Sequence, residues 1–208
     1  MNDILAIEPK HPIDWAIIIR RALKPVVFTL SCLPIAWLAW VALNNGLGAN
    51  PIEKLIRFNG DWALRFLLIG LAVTPIRLMT GWTDIARVRR MLGLFAFFYV
   101  YLHISAYVGL DQFFDWRNIW ADIVKRVYIT IGMAAFLTLI PLAVTSTPGM
   151  VKRMGARQWR RMHRVVYVTT IAGIIHYIMM RKAGYQEPAL YAAILAVLLA
   201  IRARKKWP

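Results

Sequence analysis

VVFTLSCLPIAWLAWVAL, residues 26–43, runs for 18 residues without a charge. A helix needs about 20 mostly apolar residues to cross roughly 30 Å of hydrocarbon. In lipid, every backbone polar group must bond within its own segment. The run therefore predicts a membrane-spanning helix. Working outward, Ala63–Met79, Met91–Leu110, Val127–Ser146, Val165–Met180 and Pro188–Ile201 repeat the pattern. Arg65 and Arg77 lie near the ends of the second run, where long side chains snorkel. The last two runs are shorter than usual. Pro34, Pro75 and Pro141 fall inside spans and predict kinks.

Composition agrees with this reading. Of 208 residues, 60% are hydrophobic and 17% charged, and the net charge is +16. Mean hydropathy is +0.54. Those values exclude a disordered chain, a secreted disulfide scaffold and an ordinary cytosolic enzyme. Cys32 is the single cysteine and has no internal partner, and four histidines leave little material for a structural zinc site. The basic residues sit between apolar runs, so they do not cover a soluble surface suited to nucleic acid.

Their distribution sets an orientation. With a cytoplasmic N-terminus, 18 of the 26 Lys and Arg fall on the inner side, clustered at 10–24, 77–90, 152–164 and 202–206. Glu53, Asp61, Asp111, Asp115, Asp122 and Glu187 fall outside. A cleavable signal peptide fits poorly, because about 25 residues precede the first run and no clean small-residue cleavage site follows it. The expected architecture is all-α: a bundle of six transmembrane helices (26–201) between a cytoplasmic N-terminal segment (1–25) and a basic cytoplasmic tail (202–208).

Spans three and five both run from inside to outside. His103 lies twelve residues past Met91, about 18 Å above the inner edge. His176 lies thirteen residues past His163, about 19 Å higher than that boundary residue. Two imidazoles thus reach one depth in the outer half of the membrane, where ionisable groups are rare and usually functional. One reading is a pair of histidines bonded to backbone or hydroxyl groups inside the bundle. The other is a metal site. Zinc asks for two more ligands, and the span boundaries place no Cys, Asp or Glu at that depth. Haem iron asks for two axial ligands only, and the flat macrocycle suits a slot between helices. Small residues (Ser105 and Ala106, Ala172 and Gly173) flank both positions.

His163 ends the run Arg157-Gln158-Trp159-Arg160-Arg161-Met162 at the inner boundary, and no histidine of span three faces it. A second haem there would need His11, Met91 or water opposite, or five-coordinate iron. On one ideal helix His163 and His176 would stand some 140° apart in azimuth. The other reading is an interfacial residue near lipid or ligand phosphates. His11, before Pro12, reads as incidental.

Thr74-Pro75-Ile76-Arg77, Arg89-Arg90-Met91-Leu92-Gly93 with Tyr101-Leu102-His103, and Trp159 to Tyr167 together resemble the ferric-reductase-like transmembrane superfamily. From about residue 20 to 205 the chain is similar, within it, to the haem-binding membrane subunits of bacterial methionine sulfoxide reductase systems. The resemblance implies that His103, His163 and His176 are haem-associated, that the haem is b-type, and that a flavin mononucleotide (FMN) accompanies it. Larger members carry four histidines in two pairs; this chain lacks the inner one on span three. It also lacks their cytosolic flavin and nicotinamide domains, so electrons are expected from a separate donor, the quinone pool or a cytosolic flavin reductase. The implied acceptor is a periplasmic molybdenum-containing subunit that reduces methionine sulfoxide in oxidised proteins.

The outer segment Asp111–Arg126, with Trp116 and Trp120, is a candidate docking surface for that acceptor; tryptophans also belong to interfacial belts. The inner segment Lys152–Arg164 offers cations for a flavin phosphate or an acidic donor, although cytoplasmic loops are basic regardless of ligand. The rival functions are a transporter or channel, disfavoured by spans without Asp or Glu, and a haem-bearing anchor without turnover.

Overall fold

The longest helix among the described residues explains the rest of the bundle. Asn50 accepts a hydrogen bond from the Glu53 N–H and Pro51 takes the first helical position, which starts α2 (Pro51–Thr80). Gly81, in the left-handed region at φ 72°, ends it by donating its N–H to the Arg77 carbonyl. The computed structural model describes residues 15–181 and 183–204. His11 and the residues before Trp15 lie outside the described residues.

Around α2 stand α1 (Trp15–Leu43), α3 (Arg89–Ala106), α5 (Val127–Val144), α8 (Val165–Met180) and α9 (Gln186–Arg204). A short 3-10 turn (Asp84–Val88) leads into α3, and a π turn (Tyr107–Asp111) extends it. Three shorter helices cap the bundle: α4 (Trp116–Lys125) at one end, and α6 (Pro148–Met154) with α7 (Ala156–His163) at the other. One face of α2 (Ala63, Phe66, Leu67, Val73) packs with Leu92, Ala96 and Tyr99 of α3 and Leu139 and Leu142 of α5. Its other face (Leu64, Leu68, Leu71) packs with Ile174 and Tyr177 of α8 and Tyr191, Leu195 and Leu198 of α9.

Large apolar side chains also cover the outside. Leu30, Leu33, Trp37 and Trp40 of α1 are each about half or more exposed, as are Leu137, Val168 and Val197. Water would penalise such a surface, and hydrocarbon does not. Among the described residues, five helical stretches are long and apolar enough to cross a membrane: Ile19–Leu43, Pro51–Thr80, Asp84–Asp111, Val127–Val144 and Gln186–Arg204. The chain is a multi-pass membrane protein. The sixth expected span, Val165–Met180, is a helix with the expected ends but has 16 residues. At about 24 Å it is shorter than the hydrocarbon layer.

Helices α1, α2 and α5 run unbroken through their prolines. Beside Pro34, the fully buried Tyr99 hydroxyl donates to the Ser31 carbonyl (2.9 Å) and accepts from the Ile35 N–H (3.2 Å). An undistorted helix bonds those two backbone groups to each other, so the phenol bridges a loosened turn.

Hydropathy alone starts the second span at Ala63 and puts Glu53 and Asp61 in an outer loop, and the structure corrects this. Helix α2 starts twelve residues earlier, because the Asn50-Pro51 start signal governs where the helix begins while hydropathy reports only its apolar part. Asp61 is therefore inside α2, next to the residue that packs on His103, and an acid does lie near the histidines' depth. Among the described residues, no three His, Cys, Asp or Glu side chains converge as a metal cage.

Candidate functional site

Helices α2, α3, α5 and α8 enclose a cavity of about 400 Å³, within the range of cofactor sites. His103, on α3 just before the π turn, enters from one side and His176, on α8, from the other. Their ring centroids are 6.2 Å apart and their planes 85° apart.

Each ring is held by the same device on a different helix. His103 Nδ1–H donates to the Ile56 carbonyl of α2 at 2.8 Å. His176 Nδ1–H donates to the Tyr128 carbonyl of α5 at 2.6 Å. A carbonyl only accepts, so the proton sits on Nδ1 and the Nε2 lone pair is free. Four residues after each carbonyl stands a glycine. A methyl group at Gly60 would come within 3.0 Å of His103 Nδ1, and one at Gly132 within 2.9 Å of His176 Nδ1. Any side chain there would push the imidazole off its carbonyl. Donation of the distal ring N–H to a carbonyl is how metal-binding histidines are oriented and made more basic.

The pair fits one metal atom between the rings. Metal–nitrogen bonds of about 2.0 Å, plus about 1.1 Å from nitrogen to ring centre on each side, give a centroid separation of roughly 6 Å. The observed separation matches. With no third side-chain ligand converging among the described residues, the donor set is two neutral imidazoles. That set suits iron whose other four bonds a macrocycle supplies.

The cavity is mostly apolar where Leu67, Val100, Phe136 and Leu139 line it with Thr169, and charged toward α4, where Glu53, Arg57, Asp111 and Arg126 line it; Asp61 lies between, beside Gly60. Arg57 pairs with Glu53 at 2.5 Å and Arg126 with Asp122 at 3.2 Å. Alongside, Arg65 donates to the Tyr191 hydroxyl at 2.8 Å, and Arg181 joins Glu187 and the Tyr177 hydroxyl.

His163 lies apart, at the opposite end of the bundle. Arg164 separates α7 from α8, so His163 and His176 ride on different helices. The His163 ring stacks on Trp159 at 3.9 Å, and its Nε2 is 3.1 Å from Thr145 Oγ1. Thr145 donates its hydroxyl proton to the Pro141 carbonyl at 2.6 Å, so His163 Nε2–H is the donor to Thr145. Burial, then the nearby Arg89 and Arg90 charges, push its pKa down from 6.5 to about 4. His163 is not among the residues lining the cavity.

Both cavity histidines are legible in the sequence, and their supports are not. Ile56, Gly60, Tyr128 and Gly132 lie on helices that the histidine pattern does not name. A glycine near the polar start of each apolar run was the available signal. The segment read as an outer loop contains α4, capped by Asp115, with Trp116, Trp120 and Val124 exposed along one face.

Residues 59–174, more than half of the chain, match the family described as ferric reductase like transmembrane component. Fold and cavity together define a transmembrane protein of the ferric-reductase-like class. The chain is 57% identical over 176 residues to the protein-methionine-sulfoxide reductase heme-binding subunit MsrQ of Rhodospirillum rubrum, 85% of either chain. It is 52% identical to the same-named subunit of Caulobacter vibrioides, over 82% of this chain and 81% of that one. With that of Herminiimonas arsenicoxydans it shares 47% identity over 187 residues, 89% of this chain and 86% of the relative. The chain belongs to the MsrQ family.

Proposed function

We propose that this chain is the haem-holding membrane subunit of a methionine sulfoxide reductase system. His103 and His176 are its axial ligands. The observation that carries this reading is the imidazole pair, 6.2 Å apart, each oriented through Nδ1 by a backbone carbonyl beside a glycine. The MsrQ relatives, named as subunits of a methionine sulfoxide reductase, supply the system. A b-type haem, when bound, supplies reversible one-electron chemistry. The chain's own residues ligate it, bury it and keep water from it.

In this reading α8 is the sixth crossing, its shortness met by local thinning of the bilayer and by the adjoining α7. The α7 end, rich in arginine, faces the cytoplasm, and the α4 end faces the periplasm. The protein resides in the bacterial inner membrane. Electrons arrive from the quinone pool or a cytosolic flavin reductase and leave for an MsrP-like periplasmic molybdoenzyme, which repairs oxidised periplasmic proteins. Helix α4 is the docking element for that partner. His163 is a haem-associated residue at the inner end, and an FMN phosphate would find its cations on Lys152–Arg164.

Absorption spectra of membranes carrying the full chain test this. A reducible b-type spectrum lost in both His103→Ala and His176→Ala, with reoxidation by the periplasmic partner, is expected. A colourless protein would return the chain to the transporter reading. A haem that the partner cannot reoxidise would leave an anchoring subunit.

A further inference from the structure

We propose that Arg89, Arg90 and Arg202 form a binding site for the phosphate headgroup of an anionic phospholipid, in the leaflet at the α7 end. The site lies apart from the histidine cavity and needs no haem.

A proline in α2 draws Arg202 into the bundle. Pro75 has no N–H, so the Leu71 carbonyl one turn before it loses its helical partner. Arg202 of α9 fills that gap. Its Nη2 donates to the Leu71 carbonyl and its Nη1 to the Tyr167 hydroxyl of α8. The guanidinium carbon lies 5.1 Å over the Tyr167 ring. Both acceptors are neutral, and the buried Nε has no hydrogen-bond partner. A half-buried positive charge is thus fixed between α2, α8 and α9 without a carboxylate against it.

More cations gather beside it. Arg89, which opens α3, lies within electrostatic reach of both Arg202 and His163, and Arg90 within reach of His163. Among the described residues neither Arg89 nor Arg90 has an ion pair. Asp84 is the one described carboxylate at this end; Arg20 holds it at 3.0 Å and Arg87 stands 3.7 Å from it. Like charges held together repel, and an anion among them reverses the sign of that energy. Guanidinium groups suit phosphate, which accepts several charge-assisted hydrogen bonds at once. The bilayer is the source of that phosphate. Val168, next to Tyr167, is 64% exposed, and Val197, five residues before Arg202, is 58% exposed. Acyl chains cover such residues, and basic pockets between membrane helices take anionic headgroups in this way.

The test uses the full chain in neutral detergent, titrated with dioctanoyl phosphatidylglycerol or dioctanoyl phosphatidylcholine and followed by native mass spectrometry. The wild type is expected to bind the anionic lipid about tenfold or more tightly. Arg89→Gln lowers that preference about fivefold, and the Arg89→Gln/Arg202→Gln double variant abolishes it. Arg202→Gln also loosens the contact with α2 and α8, so Arg89→Gln, which breaks no ion pair, reads the charge alone. Arg21→Gln, an exposed cation of α1 at the same end, keeps the preference. Equal binding of the two lipids by the wild type overturns the proposal, as does an undiminished preference in the double variant. Displacement of the lipid by equimolar inorganic phosphate or FMN also overturns it, because the cations then serve a soluble phosphate. The lipid preference is expected to persist in His103→Ala, so its failure and that of the haem reading are told apart.

Discussion

The two histidine regions of this protein are built on opposite principles. At the α4 end, His103 and His176 face each other across a cavity, each with Nδ1 on a backbone carbonyl and Nε2 uncommitted. At the α7 end, His163 is stacked on Trp159 with its Nε2 proton given to Thr145, and Arg89 and Arg90 stand near. The first arrangement leaves Nε2 uncommitted on two rings that line one cavity, while the second uses the ring as a donor in a packed joint between helices. A histidine count treats the three as equals. The hydrogen bond on the other nitrogen tells them apart.

The largest expected effect comes from the paired site. If these two rings are the axial ligands, either His103→Ala or His176→Ala should lower the haem content of membranes at least about tenfold. His163→Ala should leave the spectrum of the paired site in place. Pyridine haemochrome assays on the three variants check this, and equal loss in all three would erase the contrast.

The glycine sockets come next. Gly132→Ala and Gly60→Ala put a methyl group against the imidazole and should weaken haem affinity by about 10- to 100-fold, as loss of an orienting partner does at metal sites. Titration of stripped protein with haem measures it. Alanine at Gly149, which meets nothing, is the control.

A smaller effect is expected at Tyr99. Tyr99→Phe leaves the Ser31 carbonyl and Ile35 N–H without their bridge and should cost about 1–3 kcal/mol in thermal unfolding, with the haem spectrum unchanged.

The smallest concerns pH. His163 is held near pKa 4 in the fold and returns to about 6.5 when unfolded, so the unfolded chain binds the extra proton between those values. Its contribution is constant above pH 6.5 and falls as the pH drops toward 4. A melting curve series should show that slope in the wild type and a shallower one in His163→Gln. An unchanged slope would mean the ring is protonated or otherwise engaged.

Much of this was legible in the chain. Val165–Met180 matched the helix at both ends because Arg164 and Arg181 bracket it. The shared depth of His103 and His176 was readable because helical rise is fixed, so counting residues measures height. Azimuth and partner helix are tertiary facts, which is why Ile56, Gly60, Tyr128 and Gly132 stayed hidden. The start of α2 was missed because residues 51–62 are amphipathic, and hydropathy sees a loop where Asn50 and Pro51 signal a helix. Helix α4 was missed for a related reason, being short and polar on one side.

Electron paramagnetic resonance of the oxidised, full-length protein in its membrane tests the central claim most directly. Two imidazoles crossed at 85° on one iron predict a strongly anisotropic low-spin signal that disappears in both His103→Ala and His176→Ala. A high-spin signal in the wild type, or a low-spin signal that outlives either substitution, would contradict the account.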